Sequence, residues 1–284
     1  MDLSVIDTHV HFWDRARLSY PWLEEVPAIA GRHTPRELAD EAGRRFPTRI
    51  VFVQADTRDG AAEAAWVEQL AAREPGGSAL AGIVAFAPVD QGAETLAALA
   101  AMRARPLVRG IRHLIQGETD PGFCLRPAFV AGVRAVGAAG LVFDLCIRHH
   151  QLRAVTELAR ACPETRFVLD HAGKPDIRGR VLDPWRADIT ALARLPHVAC
   201  KISGLVTEAD PARWTIDDLR PYVEHLLGAF GPGRLLFGSD WPVVKLASSY
   251  DRWLDTALAL LEPLAPTERQ AVLADNARRE YRLP

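Results

Sequence analysis

Apolar positions along the chain fall into two alternating patterns. Short runs dominated by Val, Ile, Leu and Phe recur at 5–9, 50–54, 81–86, 108–113, 141–147, 167–171, 198–203 and 235–239. Runs this short, bounded by turn residues, read as strands buried on both faces. Between them lie longer stretches in which apolar residues return every three or four positions, near 35–46, 61–73, 92–104, 127–139, 150–161, 184–194, 217–229 and 250–261, with a last one near 267–279. That spacing predicts amphipathic helices. Eight strands alternating with helices imply a parallel sheet, and eight repeats imply its closed form, a (β/α)8 barrel.

Local signals support the boundaries. Thr34-Pro35-Arg36-Glu37 reads as a capping box with proline at the first helical position. Asp183-Pro184 reads as a similar start, and Thr267 with Gln270 as another capping box. Gly110, Gly140 and Gly233 are read as helix-to-strand turns. No Ser- or Pro-rich linker interrupts the alternation, so residues 1–284 are taken as one domain. An open doubly wound sheet shares this alternation but carries a glycine-rich phosphate loop after its first strand. Here Thr8-His9-Val10-His11-Phe12-Trp13 fills that place without a glycine, which favours the barrel.

Composition narrows the function. The formal net charge of −2 offers no basic field for nucleic acid or an anionic membrane. No apolar run approaches the roughly 20 residues that span a bilayer. The start, Met1-Asp2-Leu3-Ser4, has no basic segment before an apolar one, so no secretory leader is expected. Cys124, Cys146, Cys162 and Cys200 form no CxxC pair and read as reduced, buried thiols of a soluble cytoplasmic protein.

Candidate chemistry gathers at strand ends, where barrels of this kind place their active sites. Asp7, His9 and His11 are spaced by two and share one strand face, so two imidazoles project together from the first strand. They can hold a metal ion or a substrate oxygen, or they can be a hydrogen-bonded structural pair. In the run from Phe167 to Pro175, His171 ends an apolar strand; adjacent Asp170 points to the opposite face unless the backbone bulges. Lys174 follows as a loop cation within reach of a substrate oxygen. Asp240, in Phe237-Gly238-Ser239-Asp240-Trp241-Pro242, is a strand-tip carboxylate suited to a general base, a metal ligand or a cap. Arg112 and His113 end the fourth strand; Arg112 fits both a structural carboxylate such as Asp144 and an oxygen-rich substrate. Lys201 lies inside an apolar strand, where an ammonium needs a partner. Trp13, Gln54, Arg148, His149 and His150 complete the ring of strand-end polar and aromatic residues. Neither a Gly-x-Ser-x-Gly elbow nor a P-loop is present.

In this order, Ile6-Asp7-Thr8-His9-Val10-His11-Phe12-Trp13, Gly110-Ile111-Arg112-His113, Leu169-Asp170-His171-Ala172-Gly173-Lys174-Pro175, Cys200-Lys201-Ile202-Ser203-Gly204-Leu205 and Phe237-Gly238-Ser239-Asp240-Trp241-Pro242 resemble the sugar-lactonase branch of the amidohydrolase superfamily, the amidohydrolase-2 group. The resemblance implies a distorted (β/α)8 barrel and hydrolysis of aldonolactones in sugar catabolism. It matches His9 and His11 to the first-strand pair, His171 to a later-strand histidine and Asp240 to the aspartate that activates water. Arg112 and His113 match positions near the substrate. The wider superfamily adds a bridging Lys or Glu and two middle-strand histidines; here the fourth strand offers Arg112-His113 instead. The expected cofactor is therefore at most one divalent ion, zinc first, on His9, His11, His171 and Asp240.

The expected chemistry is attack of a water, deprotonated by Asp240, on the carbonyl of a small sugar lactone. His171, His9, His11 or one ion would stabilise the oxyanion. Trp13, Gln54, Arg112, His113 and Lys201 would hold the sugar. Two other readings stay open: a metal-dependent decarboxylase of aromatic acids, and a barrel that binds sugars without opening them. Oligomeric state leaves no signal in the sequence.

Overall fold

The computed structural model describes residues 4–284; residues 1–3, on which the reading of the N-terminus rests, lie outside the described residues. The strands are β1 (Ile6–Val10), β2 (Arg49–Val53), β3 (Leu80–Ala85), β4 (Val108–Arg112), β5 (Val142–Leu145), β6 (Arg166–Leu169), β7 (Val198–Ile202) and β8 (Leu235–Phe237). Each pairs in parallel with the next, in the order β1 to β8. This is the (β/α)8 barrel expected from the alternation.

Strand residues alternate between two apolar environments. Phe52, Ile83, Ile111, Phe143, Phe167, Cys200 and Phe237 face the helices. Val51, Val53, Val84, Val142, Val168, Ala199 and Leu236 fill the barrel with Ala277, Tyr281 and Leu283 from the C-terminus. Burial on both faces is why the strands read as continuous apolar runs. The helices are α1 (Pro35–Ala42), α2 (Gly60–Arg73), α3 (Ala93–Arg103), α4 (Pro127–Ala138), α5 (Leu152–Ala161), α6 (Trp185–Ala193), the short α7 (Leu205–Glu208), α8 (Ile216–Phe230), α9 (Tyr250–Leu260), α10 (Pro266–Gln270) and α11 (Asn276–Tyr281). Among the described residues, no helix is long and apolar enough to cross a membrane.

Three local expectations shift. The Thr34 box forms, with the Thr34 N–H donating to Glu37 at 2.8 Å, but the cap of the last expected helix falls two residues earlier and has only the glutamate half of a box. Ala265 N–H donates to Glu268 at 3.0 Å because Pro266 opens the helix, so Thr267 and Gln270 are interior. Gly110 sits within β4, where a Cβ would lie 3.1 Å from the Val142 carbonyl oxygen; the glycine admits the neighbouring strand. Pro184 precedes α6, which begins at Trp185.

The seam between β8 and β1 positions the site. The strands meet through one backbone bridge, Val10 to Trp241. His11 N–H donates to Trp241 O at 2.7 Å and Asp240 N–H to His9 O at 2.8 Å. Deeper in, side chains replace the ladder: Thr8 Oγ1 donates to Phe237 O at 2.6 Å, and Asp7 accepts from Ser239 N–H at 2.8 Å. The β1–β2 register shifts between Asp7 and Val10. That bulge takes Asp7 into the seam and away from the face it was expected to share with His9 and His11. The barrel is thus distorted where its histidine pair emerges.

Candidate active site

His9 and His11 leave β1 with their Nε2 atoms 3.2 Å apart. His11 Nδ1 donates to the Val53 carbonyl at 2.7 Å. A carbonyl only accepts, so Nδ1 carries a proton, and Nε2 is the ring atom turned to His9 and Asp240. His9 Nδ1 faces Asp170 at 3.3 Å and the Lys201 ammonium at 3.2 Å. Burial drives the His9 pKa well below its usual value. Gly238 makes room for His9, since a Cβ there would lie 2.8 Å from the His9 Cβ.

Asp170 and His171 both turn inward, which neighbours on a strand cannot do. β6 stops at Leu169, and His171 and Ala172 both take φ of 52°, in the left-handed region. That turn swings His171 back over the barrel. Its Nδ1 lies 3.0 Å from Ser203 Oγ, and burial pushes its pKa down to about 4. Gly204 is required beneath it, because a Cβ there would sit 2.5 Å from His171 Nδ1.

Asp240 closes the group from β8, also left-handed at φ 62°. Oδ1 faces His9 Nε2 at 3.8 Å and His11 Nε2 at 3.5 Å, and Oδ2 faces His171 Nδ1 at 4.0 Å. Burial alone would raise its pKa; the His171, His11 and His9 rings outweigh that and hold the carboxyl well below the usual carboxylate range. His9, His11 and Asp240 bring one donor atom each within 4.8 Å of one another. Two ligands about 2.0–2.1 Å from a tetrahedral ion lie roughly 3.3 Å apart. The observed 3.2, 3.5 and 3.8 Å separations therefore fit one divalent ion with a position left open. His171 belongs to a different donor group, with His9 and Asp170, so the four expected ligands form a set of three with His171 beside it.

Beneath this set lies a buried ionic layer. Lys201 is fully buried and donates to Asp144 at 2.6 Å, with Asp170 at 2.9 Å. Tyr281 donates to the same Asp144 at 2.9 Å. Arg112 donates to Asp170 at 3.1 Å and to the Gln54 carbonyl, while its Nε–H has no protein partner. Both alternatives for Arg112 thus meet in one residue: it is paired with a carboxylate, Asp170 rather than Asp144, and it lines the cleft. Lys201 does not. Its expected contact with substrate is corrected to a counter-ion role, since Asp144 of β5 and Asp170 at the end of β6 both face it and the side chain is fully buried.

Three other expected contacts also lie off the cleft. The His113 ring packs 5.4 Å from Phe129 and 5.6 Å from Phe86, on the outer side of β4. Trp13 is buried and donates to Ile29 O and Gly31 O, both at 3.0 Å. Gln54 is buried behind Arg112, accepting from Asp56 N–H at 2.6 Å. The cleft above Asp240 measures about 240 Å³ and is lined by His11, Arg112, His171 and Asp240, together with Trp22, Asp56, Gln116, Cys146 and Lys174. Of these later five, only Lys174 carried a sequence signal. Trp22 arrives on a short helical turn, Pro21–Glu24, in the segment between β1 and α1, and no periodic pattern marks it.

A family model described as Amidohydrolase matches residues 6–283. An L-fucono-1,5-lactonase of Burkholderia multivorans is 37% identical over 297 residues, covering 98% of this chain and 96% of that protein. An L-fucono-1,5-lactonase of Burkholderia ambifaria is 33% identical over 290 residues, covering 98% and 95%. A crystal structure of an amidohydrolase from Burkholderia multivorans with bound zinc superposes with a TM-score of 0.89 at 35% identity, covering 99% of this chain and 100% of that one. With a barrel whose seam presents two histidines and an aspartate, and a family match from β1 to the C-terminal segment, this chain belongs to the amidohydrolase family.

Proposed function

We propose that this chain hydrolyses the ester of a small sugar lactone, releasing the aldonic acid. The observation that carries the reading is Asp240: an ionised carboxylate with Oδ1 turned to the His9–His11 pair and Oδ2 left for a water in the cleft. The relatives at 37% and 33% identity, named L-fucono-1,5-lactonase, support a six-carbon aldonolactone as substrate.

Asp240 Oδ2 takes a proton as water attacks the lactone carbonyl. His171, neutral at pH 7 and braced by Ser203, stays available as a hydrogen-bond partner beside the forming oxyanion. Arg112, fixed by Asp170 and the Gln54 carbonyl, lines the cleft and supplies positive charge beside the reacting ester. The ring C–O bond breaks, and the leaving alkoxide takes up a proton. His9, His11 and Asp240 would hold a divalent ion, zinc by donor chemistry; when bound, it supplies Lewis-acid polarisation of oxygen. All four cysteines are free and buried, which supports a reducing, cytoplasmic setting.

The test is acid release from a panel of aldono-1,4- and 1,5-lactones, with the metal content measured on the same protein. We expect at least one sugar lactone to open, loss of activity on chelation, recovery with zinc, and no more than about one tightly bound ion per chain. Carbon dioxide release from aromatic acids without lactone opening would favour the decarboxylase reading. Lactone binding without turnover would favour a binding protein.

A further inference from the structure

Lys174 is the cleft residue whose placement is least explained by stability. His171, Ala172 and Lys174 take φ of 52° and Gly173 takes 69°, so four successive residues are left-handed. Three of them carry a Cβ, which this conformation crowds against the following carbonyl. The turn is held from outside: Trp185 Nε1 donates to Ala172 O at 2.7 Å, His149 Nδ1 lies 3.0 Å from Lys174 O, and Lys174 N–H donates to His171 O at 2.8 Å. Strain that the surroundings over-determine is a mark of a functional position. This turn brings two side chains to the cleft, His171 and Lys174. The first is explained by Asp240. The second has no such structural reason.

The surroundings of the ammonium indicate its ligand. Lys174 Nζ donates to the neutral Gln116 Oε1 at 2.6 Å and forms no ion pair among the described residues. Cys146 Sγ contacts the same Oε1 at 3.5 Å. With its oxygen engaged twice, the Gln116 amide is oriented with Nε2 as its remaining donor. The site therefore offers an ammonium and an amide donor side by side. The cleft lining also includes the apolar Trp22, Ala55 and Val243. The charged side chains lining the cleft are Arg112 and Lys174 against Asp240 and Asp56, with Asp170 paired to Arg112 and Glu208 near Lys174, so among the protein's own groups there is no surplus of positive charge to draw an anion.

We infer that Lys174, oriented by Gln116, is a specificity-determining residue that donates to the ring hydroxyls of an uncharged, polyhydroxylated lactone. This rests on the lactonase reading and names the part of the substrate that the cleft recognises. A charge-assisted hydrogen bond of this kind corresponds to roughly a 10- to 100-fold change in binding.

Three variants test it. Lys174→Met should raise KM for the sugar lactone at least about tenfold with kcat within about threefold. Lys174→Arg should recover part of that loss. Lys174→Asn should lose substrate affinity equally yet melt no lower than wild type, because Asn tolerates the left-handed region. An active wild type with unmoved KM in Lys174→Met overturns the inference, as does a fall in Tm without a change in KM. A carboxylated lactone that outperforms the neutral one, and suffers more from Lys174→Met, overturns the uncharged assignment. Wild-type protein that opens no lactone defeats the lactonase reading itself, a result no Lys174 variant can produce.

Discussion

Lys201→Met separates a residue that touches substrate from one that holds the barrel together. Methionine fills the same slot without the charge. In wild type the ammonium bridges Asp144 at 2.6 Å and Asp170 at 2.9 Å, with all three side chains fully buried. Burial alone would lower the lysine pKa; the two carboxylates outweigh it and keep the ammonium charged. Removing it leaves Asp144 with only the Tyr281 hydroxyl and leaves Asp170 to Arg112 and His9. Breaking a buried pair from one side costs about 3–5 kcal/mol. In a domain of this size each kcal/mol moves Tm by about 2–4 °C, so Tm should fall by about 6–20 °C. Asp144→Asn added to Lys201→Met should recover about half of that loss, because the second change removes the stranded charge and keeps an acceptor for Tyr281. Melting followed by circular dichroism, with Michaelis kinetics on the same samples, decides the matter. A Tm within about 2 °C of wild type together with a raised KM would refute the reasoning, since it would mean that the ammonium faces the cleft.

Asp240→Asn should lower kcat at least about 10²-fold, because the amide cannot take the proton from water, while the seam hydrogen bond of its backbone N–H keeps the fold. Full activity in this variant would reduce Asp240 to a cap. Arg112→Met should both raise KM and lower Tm, since the guanidinium faces the cleft and also neutralises Asp170; a Tm change with constant KM would make it purely structural. Glu63, fully buried under Ala55, has its pKa pushed up to about 8 by desolvation. A carboxyl raised in the folded state contributes stability that is present below the unfolded pKa and is lost as pH rises through about 8. Glu63→Gln keeps an acceptor for the Ala55 N–H without this loss, so it should stabilise by up to about 3 kcal/mol at pH 7 and hardly at all at pH 4. Identical melting curves across that range would contradict a protonated Glu63.

The barrel was legible because the strands are buried on both faces, so most of them read as short apolar runs alternating with amphipathic helices. Strand-end residues were legible for a related reason. Where a run such as Phe167-Val168-Leu169 stops at Asp170 and His171, the chain leaves the ladder and polar side chains become affordable at the mouth. What the pattern could not show was direction. Period-two logic assigned Asp170 and His171 to opposite faces, and the left-handed turn overruled it; Gly173 was the one local hint. The same logic put Asp7 beside His9 until the bulge moved it into the seam. Lys201 was marked by its apolar neighbours as needing a partner, but Asp144 lies on β5 and Asp170 just past β6, and pairing across a barrel leaves no local trace. Trp22 and Gln116 belong to loops whose course depends on what they cover.

Charge accounting explains why the site takes the form it does. Among the described residues, the two permanent cations of the barrel interior, Lys201 and Arg112, are matched by Asp144 and Asp170. Asp240 is left with no such partner. It faces His9, His11 and His171, and burial holds at least His9 and His171 neutral at pH 7. A buried carboxylate with no permanent cation beside it gains from positive charge placed there. The ionic layer below thus fixes His9 without supplying that charge. The opening between His9, His11 and Asp240 is where it can be added, and a divalent ion adds it next to the oxygen on which negative charge develops when a lactone opens.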